Sequence, residues 1–190
     1  MMAGVDWVTV VSTVSGAVVA LAGTVLAFML SSRDRRSRDD RADRRQSYLT
    51  FILAVEAVHS RLREVGSPHS QVADHRAEAR AAITESGIYS ARETFIVTAN
   101  QSLLRAGETT LDALMEMYRR VRDGARTNTL EYHEAYHQYA EAIWALRQVA
   151  RADLGAAPIS PADVGKESWD SQADCDFCRR QTAPATLGSA

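Results

Sequence analysis

The sequence predicts an all-α protein. An N-terminal transmembrane helix runs into an up-down bundle of three to four helices, followed by a disordered C-terminal tail. Three observations carry this reading. Residues 7–30 contain no charged side chain. From residue 48 to residue 150, apolar residues recur at spacings of three and four, with no alternating strand pattern of useful length. Beyond residue 155 that period stops, and Pro158, Pro161 and Pro184 all lie there. The expected divisions are a span at 7–30, a charged juxtamembrane helix at 31–46, a bundle at 47–155 and a mobile tail at 156–190.

The stretch Trp7 to Leu30 would reach about 36 Å as a helix, against a hydrocarbon core of about 30 Å. Asp6 is placed to cap it, and Trp7 to sit at the interface. Ser12, Gly16, Ala20 and Thr24 lie four apart, a stripe of small residues that would let two such helices associate. No lysine or arginine precedes the stretch, whereas Arg33, Arg35, Arg36, Arg38, Arg41, Arg44 and Arg45 follow it. The positive-inside rule then places the N-terminus outside the cell membrane and the C-terminal domain in the cytoplasm, as a single-pass protein with the lipid bilayer as its partner. Asp34, Asp39, Asp40 and Asp43 alternate with those arginines. Opposite charges at i, i+4 favour a solvated helix there.

In the bundle, Tyr48, Phe51, Val55, Val58, Leu62 and Val65 form a heptad seam of coiled-coil type. Gly66 is expected to end this helix in a left-handed conformation, with Ser67 and Pro68 opening the next. His69 to Ser86 is alanine-rich and weakly apolar, which suits a bundle edge. Ser90 with Glu93 matches a capping box. Whether Gly87 breaks the chain, so that 69–107 forms two helices rather than one, is open at this level. Leu111, Leu114, Met115, Tyr118 and Val121 make a further stripe, ended by Gly124. Asn128 with Glu131 resembles a cap. The last helix then runs to Asp153 and stops at Gly155, with Tyr132, Tyr136, Tyr139, Ile143, Leu146 and Ala150 as its seam.

The net charge of -2 gives no case for nucleic acid as a partner. Two cysteines, Cys175 and Cys178, exclude a disulfide scaffold. His133-Glu134-Ala135-Tyr136-His137 matches H-E-x-x-H on a helix, where residues four apart share a face and both imidazoles reach one ion. The motif resembles that of the zincin metallopeptidases, and the resemblance implies Glu134 as the catalytic base. It departs in context: charged Glu131 precedes it, no third-ligand segment follows, and no sheet is available to align a peptide. Two Glu-x-x-His pairs, Glu56–His59 and Glu134–His137, bring di-iron bundles to mind. Helical phase argues against that site, because both pairs lie beside the apolar seams.

The same phase puts His133, His137 and Trp144 on a second face of the last helix, where a tryptophan implies a cover. Cys-x-x-Cys is a zinc half-site spacing, so His133, His137, Cys175 and Cys178 would complete a Cys₂His₂ tetrahedron. The plainer reading, which so short a pattern favours, is two reduced thiols in a mobile tail.

The layout as a whole is similar to uncharacterised actinobacterial membrane proteins: the arginine-rich arm, Tyr132-His133 to Leu146-Arg147, Ser168-Trp169 and Cys175-x-x-Cys178. That resemblance implies location and lineage, and no catalytic residues. The function expected is a non-enzymatic, membrane-anchored interaction or scaffold module. It would bind an unknown protein partner or assemble with itself. The alternative is a zinc-dependent hydrolase acting through Glu134.

Overall fold

The structure is a computed structural model that describes residues 39–166, 168–169, 171–172 and 175–182. The chain divides into two compact units, Met1–Asp43 and Arg44–Ala190. Of the first, only residues 39–43 are described, and they are helical. The second unit carries α1 (44–65), α2 (His75–Thr84), α3 (Ile88–Thr98), α4 (Gln101–Arg122) and α5 (Leu130–Asp153). A 3₁₀ turn at Pro161–Val164 and α6 (Asp176–Thr182) follow. No strand occurs among the described residues.

Among the described residues, no helix is long and apolar enough to cross a membrane. The expected fold is corrected accordingly: the described chain is an all-α arrangement without a spanning helix. The stretch 7–30, its stripe of Ser12, Gly16, Ala20 and Thr24, and residues 31–38 of the charged arm lie outside the described residues. The bilayer partner, the single-pass topology and the cytoplasmic placement all hung on that helix, and no described helix supports them.

The bundle seams place the core. Tyr48, Phe51, Val55, Val58, Leu62 and Val65 are all buried, as are Tyr132, Tyr139, Ile143, Leu146 and Ala150. Tyr136 is only half-buried. The α1 seam is not a coiled coil, because it packs into a multi-helix core with residues of α2 to α5. Phe51 stacks on Phe95 of α3 with ring centroids 4.5 Å apart. Among helices α2 to α6, α4 and α5 share the most extensive contact.

The corners differ from expectation, for local reasons. Gly66 has no positive φ. It permits a close approach instead: a Cβ there would sit 3.3 Å from the Leu62 carbonyl and 3.6 Å from the Tyr132 ring. No helix starts at Pro68. Asp74 caps α2 instead, its carboxylate accepting from the Arg76 and Ala77 amides. Gly87, at φ 71°, breaks the chain between α2 and α3, and the Asn100 side chain caps α4 by accepting from the Leu103 amide. Residues 69–107 therefore hold α2, α3 and the start of α4, and Ser90 lies inside α3 rather than at its cap.

Asp153 ties the base of the bundle. Its carboxylate accepts from the Tyr48 hydroxyl (2.8 Å), Asn100 Nδ2 (2.6 Å) and Arg44 Nη1 (3.4 Å), joining α1, the α3–α4 corner and α5. Burial and then the Asp153 hydrogen bond push the Tyr48 phenol up to about 12. Burial, against the lowering effect of Arg63, brings Tyr132 up to about 12, and Tyr139 is raised further by burial and the Glu56 charge.

Leu62 and Leu146 are fully buried, so Leu62→Ala and Leu146→Ala should each cost about 2–5 kcal/mol in denaturant unfolding. Gly107→Ala should destabilise by about 1–3 kcal/mol, because its new Cβ would overlap the Phe95 ring. The raised tyrosines set an alkaline limit. The folded chain holds phenol protons that the unfolded chain releases near pH 10, so stability should fall between about pH 10 and 12. Unfolding midpoints measured across that window, with phenolate absorbance followed in parallel, check this.

Candidate metal centre

The C-terminal segment begins with a tight reversal. Gly155 at φ 73° ends α5 in a left-handed turn, with the Ala156 amide donating to the Arg151 carbonyl and the Gly155 amide to Ala152. This paired bond pattern is the Schellman motif, and it turns the chain back along the helix it has left. Gln148 then fixes the returning strand of chain from both sides: its Nε2 donates to the Ile159 carbonyl (2.6 Å), and its Oε1 accepts from the Ile159 amide (3.1 Å). Arg151 Nε donates to the Ala157 carbonyl at 2.9 Å. Further back, Trp169 packs on Trp144 with centroids 4.2 Å apart. Ser171 reaches His137, and Cys175 reaches His133. The segment runs antiparallel to α5 and covers its second face. Its described residues make these contacts, where the composition suggested a mobile tail; residues 183–190 lie outside the described residues.

This return path brings together four side chains. The ligand atoms of His133, His137, Cys175 and Cys178 all lie within 4.8 Å of one another. His133 Nδ1 is 3.4 Å from Cys175 Sγ, and His137 Nε2 is 3.2 Å from Cys178 Sγ. Neighbouring ligands around a tetrahedral zinc, with bonds of about 2.0–2.3 Å, stand about 3.3–3.8 Å apart. The spacing of the cluster therefore suits such an ion, with a small contraction or expansion along individual edges.

The outer nitrogens decide which imidazole atoms face the cluster. His133 Nε2 lies 3.0 Å from the Thr127 carbonyl, which can only accept. Nε2 therefore carries the proton and Nδ1 keeps its lone pair. Ser171 Oγ donates to the His137 carbonyl (3.4 Å) and accepts from His137 Nδ1 (2.8 Å), leaving Nε2 as the ligand atom. Both histidines thus carry the outer hydrogen bond that orients metal-binding imidazoles. The Phe177 ring covers His133 in a parallel stack at 4.2 Å. Burial pushes the Cys178 thiol pKa up, and Cys175 and the Glu134 charge push it the same way. A cation is the one partner that would reverse this and hold the thiolate.

The other expected site residues lie elsewhere. Glu134 is exposed and outside the cluster. It lines a pocket of about 270 Å³ with Leu130, His137, Gln138, Glu141 and Cys178. Glu56 and His59 stay on α1. Glu56 accepts from Arg147 Nη2 at 2.5 Å and lies 3.6 Å from His59 Nδ1. The His59 imidazole and the Arg147 guanidinium hold its carboxyl below the usual range, against burial. Glu56 is part of an interhelical pair, so no di-iron site forms with Glu134 and His137. Thr127, Ser171 and Phe177 support the centre without any sequence pattern that marks them.

Two expectations are corrected here. The expected non-enzymatic interaction or scaffold module is corrected, because a cluster of two imidazoles and two thiols, a donor set capable of metal coordination, argues against a simple non-catalytic assignment. No family model, curated protein or solved structure matches the chain, so the resemblance to actinobacterial membrane proteins has no support.

Replacing Phe177 by Ala removes the ring that covers His133. Hydrogen–deuterium exchange at Cys175 to Arg180 should then quicken, while α1 and α4 keep their protection.

Proposed function

We propose that this protein is a zinc protein in which one ion, held by His133, His137, Cys175 and Cys178, fastens the C-terminal segment to α5. The observation that carries the reading is the convergence of four soft or borderline donor atoms within 4.8 Å, from positions about forty residues apart in the chain. Two thiolates and two imidazoles select zinc over magnesium or calcium, which take oxygen ligands. The outer bonds to Thr127 and Ser171 favour the same arrangement.

The purified chain should bind one equivalent of zinc, and cobalt should give a thiolate charge-transfer band. His137→Ala and Cys175→Ser should each abolish the band. Ser171→Ala should keep it while weakening affinity by about 10–100-fold, as loss of an outer hydrogen bond does. Affinity should fall as pH drops, because protons compete for the thiols. A protein that binds no metal, or binds it equally well after both substitutions, would refute the site.

A second reading is zinc-dependent hydrolysis with Glu134 as general base. The pocket favours it, since Glu134, His137 and Cys178 all line it. Four protein ligands close the ion's shell, so hydrolysis requires a water to replace one thiolate. Zinc-loaded protein should then cleave a peptide library. Glu134→Gln should remove that activity with the metal still bound. Zinc-loaded protein inert toward the library rules this reading out and leaves the binding site standing.

A further inference from the structure

We infer that the zinc–thiolate centre is a peroxide-responsive latch: a small, neutral peroxide oxidises Cys175 and Cys178 to a disulfide, expels the zinc and releases the C-terminal segment from α5. The inference rests on the zinc reading above and adds its regulation.

Three observations lead to it. The two sulfurs lie within 4.8 Å of each other, and Cys-x-x-Cys spacing allows them to close to the about 2.05 Å of a disulfide. Disulfide sulfurs are neutral and poor ligands, so the ion would be left with two imidazoles, too few for a stable site. Next, the cluster is reachable. Cys175 is half-buried, and Cys178, although buried, lines the pocket of about 270 Å³. That pocket also carries the Glu134 and Glu141 carboxylates. Negative walls repel anionic oxidants and leave hydrogen peroxide, small and uncharged, as the fitting reagent.

Finally, the segment's contacts gather at the cluster. Among the described residues, its hold on the far part of α5 includes Phe177 on His133, Ser171 on His137 and Trp169 on Trp144. Two of these touch the histidines that the zinc itself would orient. Loss of the ion therefore loosens the pairing at its centre and bares the His133–Trp144 face.

The step balances as follows. Two zinc-bound thiolates, one hydrogen peroxide and two protons give one disulfide, one Zn²⁺ and two waters. The sulfurs lose two electrons and the peroxide O–O bond accepts them. A first thiolate attacks a peroxide oxygen to form a sulfenic acid, and the second displaces water from it.

The test uses the zinc-loaded full-length chain under anaerobic conditions, with zinc release read by a chromophoric chelator, thiols titrated, and tryptophan emission recorded. One zinc should leave per peroxide consumed, with loss of both thiols and a red shift from Trp144 and Trp169. Dithiothreitol and zinc should restore the starting state. Rising salt should leave the hydrogen peroxide rate unchanged and speed release by anionic peroxymonosulfate, as screening of the acidic walls requires. Cys175→His keeps four ligands but cannot form the disulfide, so release should slow by about tenfold or more. The latch is overturned if zinc stays bound while peroxide is consumed. It is equally overturned if zinc leaves without a Cys175–Cys178 disulfide in the mass spectrum, or if Cys175→His releases zinc at the wild-type rate. Untreated protein that holds no zinc overturns the underlying site instead, and the latch with it.

Discussion

Helix α5 has to bury two faces at once, and the arrangement of the second unit follows from that constraint. One face carries Tyr132, Tyr139, Ile143 and Leu146 into the core. The other carries His133, His137 and Trp144. A helix in a small bundle presents one stripe to its neighbours and the rest to water. Trp144 and a buried His137 on the water side need a further layer, and the returning C-terminal segment supplies it. That the reversal happens directly after α5 depends on Gly155, the residue able to hold a left-handed turn there.

The packing of the segment on α5 is polar and aromatic rather than aliphatic. The two-way bond between Gln148 and Ile159 sets its register, and the indole pair sets its distance. Together these contacts determine that Cys175 arrives beside His133 and Cys178 beside His137. The four side chains converge along that return path. The burial that brings them together also raises the Cys178 thiol pKa. Burial disfavours the bare thiolate there, and a bound cation would favour it.

Acidic and basic pairs play a lesser part. Arg92–Glu108, Arg61–Glu78 and Arg119–Glu116 lie at the surface, where an ion pair contributes about 0–1 kcal/mol. The pairing of Arg147 with Glu56 crosses from α5 to α1 with both groups about one-third exposed. It also absorbs the carboxylate that the Glu-x-x-His pattern offered as a metal ligand.

The sequence by itself determined the helical class, the α1 and α5 seams, the stop at Gly155 and the second face of α5. These are periodic or local properties, set by 3.6-residue spacing and by the conformational freedom of glycine. It misplaced the corner after α1, where Asp74 rather than Ser67 makes the cap. It also offered a membrane-spanning architecture that no described helix supports. It left the cysteines undecided between loose thiols and a half-site, because a Cys-x-x-Cys pair carries no information about what lies about forty residues before it. Only the tertiary structure shows what lies beside them. The turn at Gly155 and the Gln148 clamp set the return path, which brings two distant pairs of potential donor side chains within 4.8 Å. The supporting Thr127, Ser171 and Phe177 were equally illegible in the sequence, since each acts through its position in space.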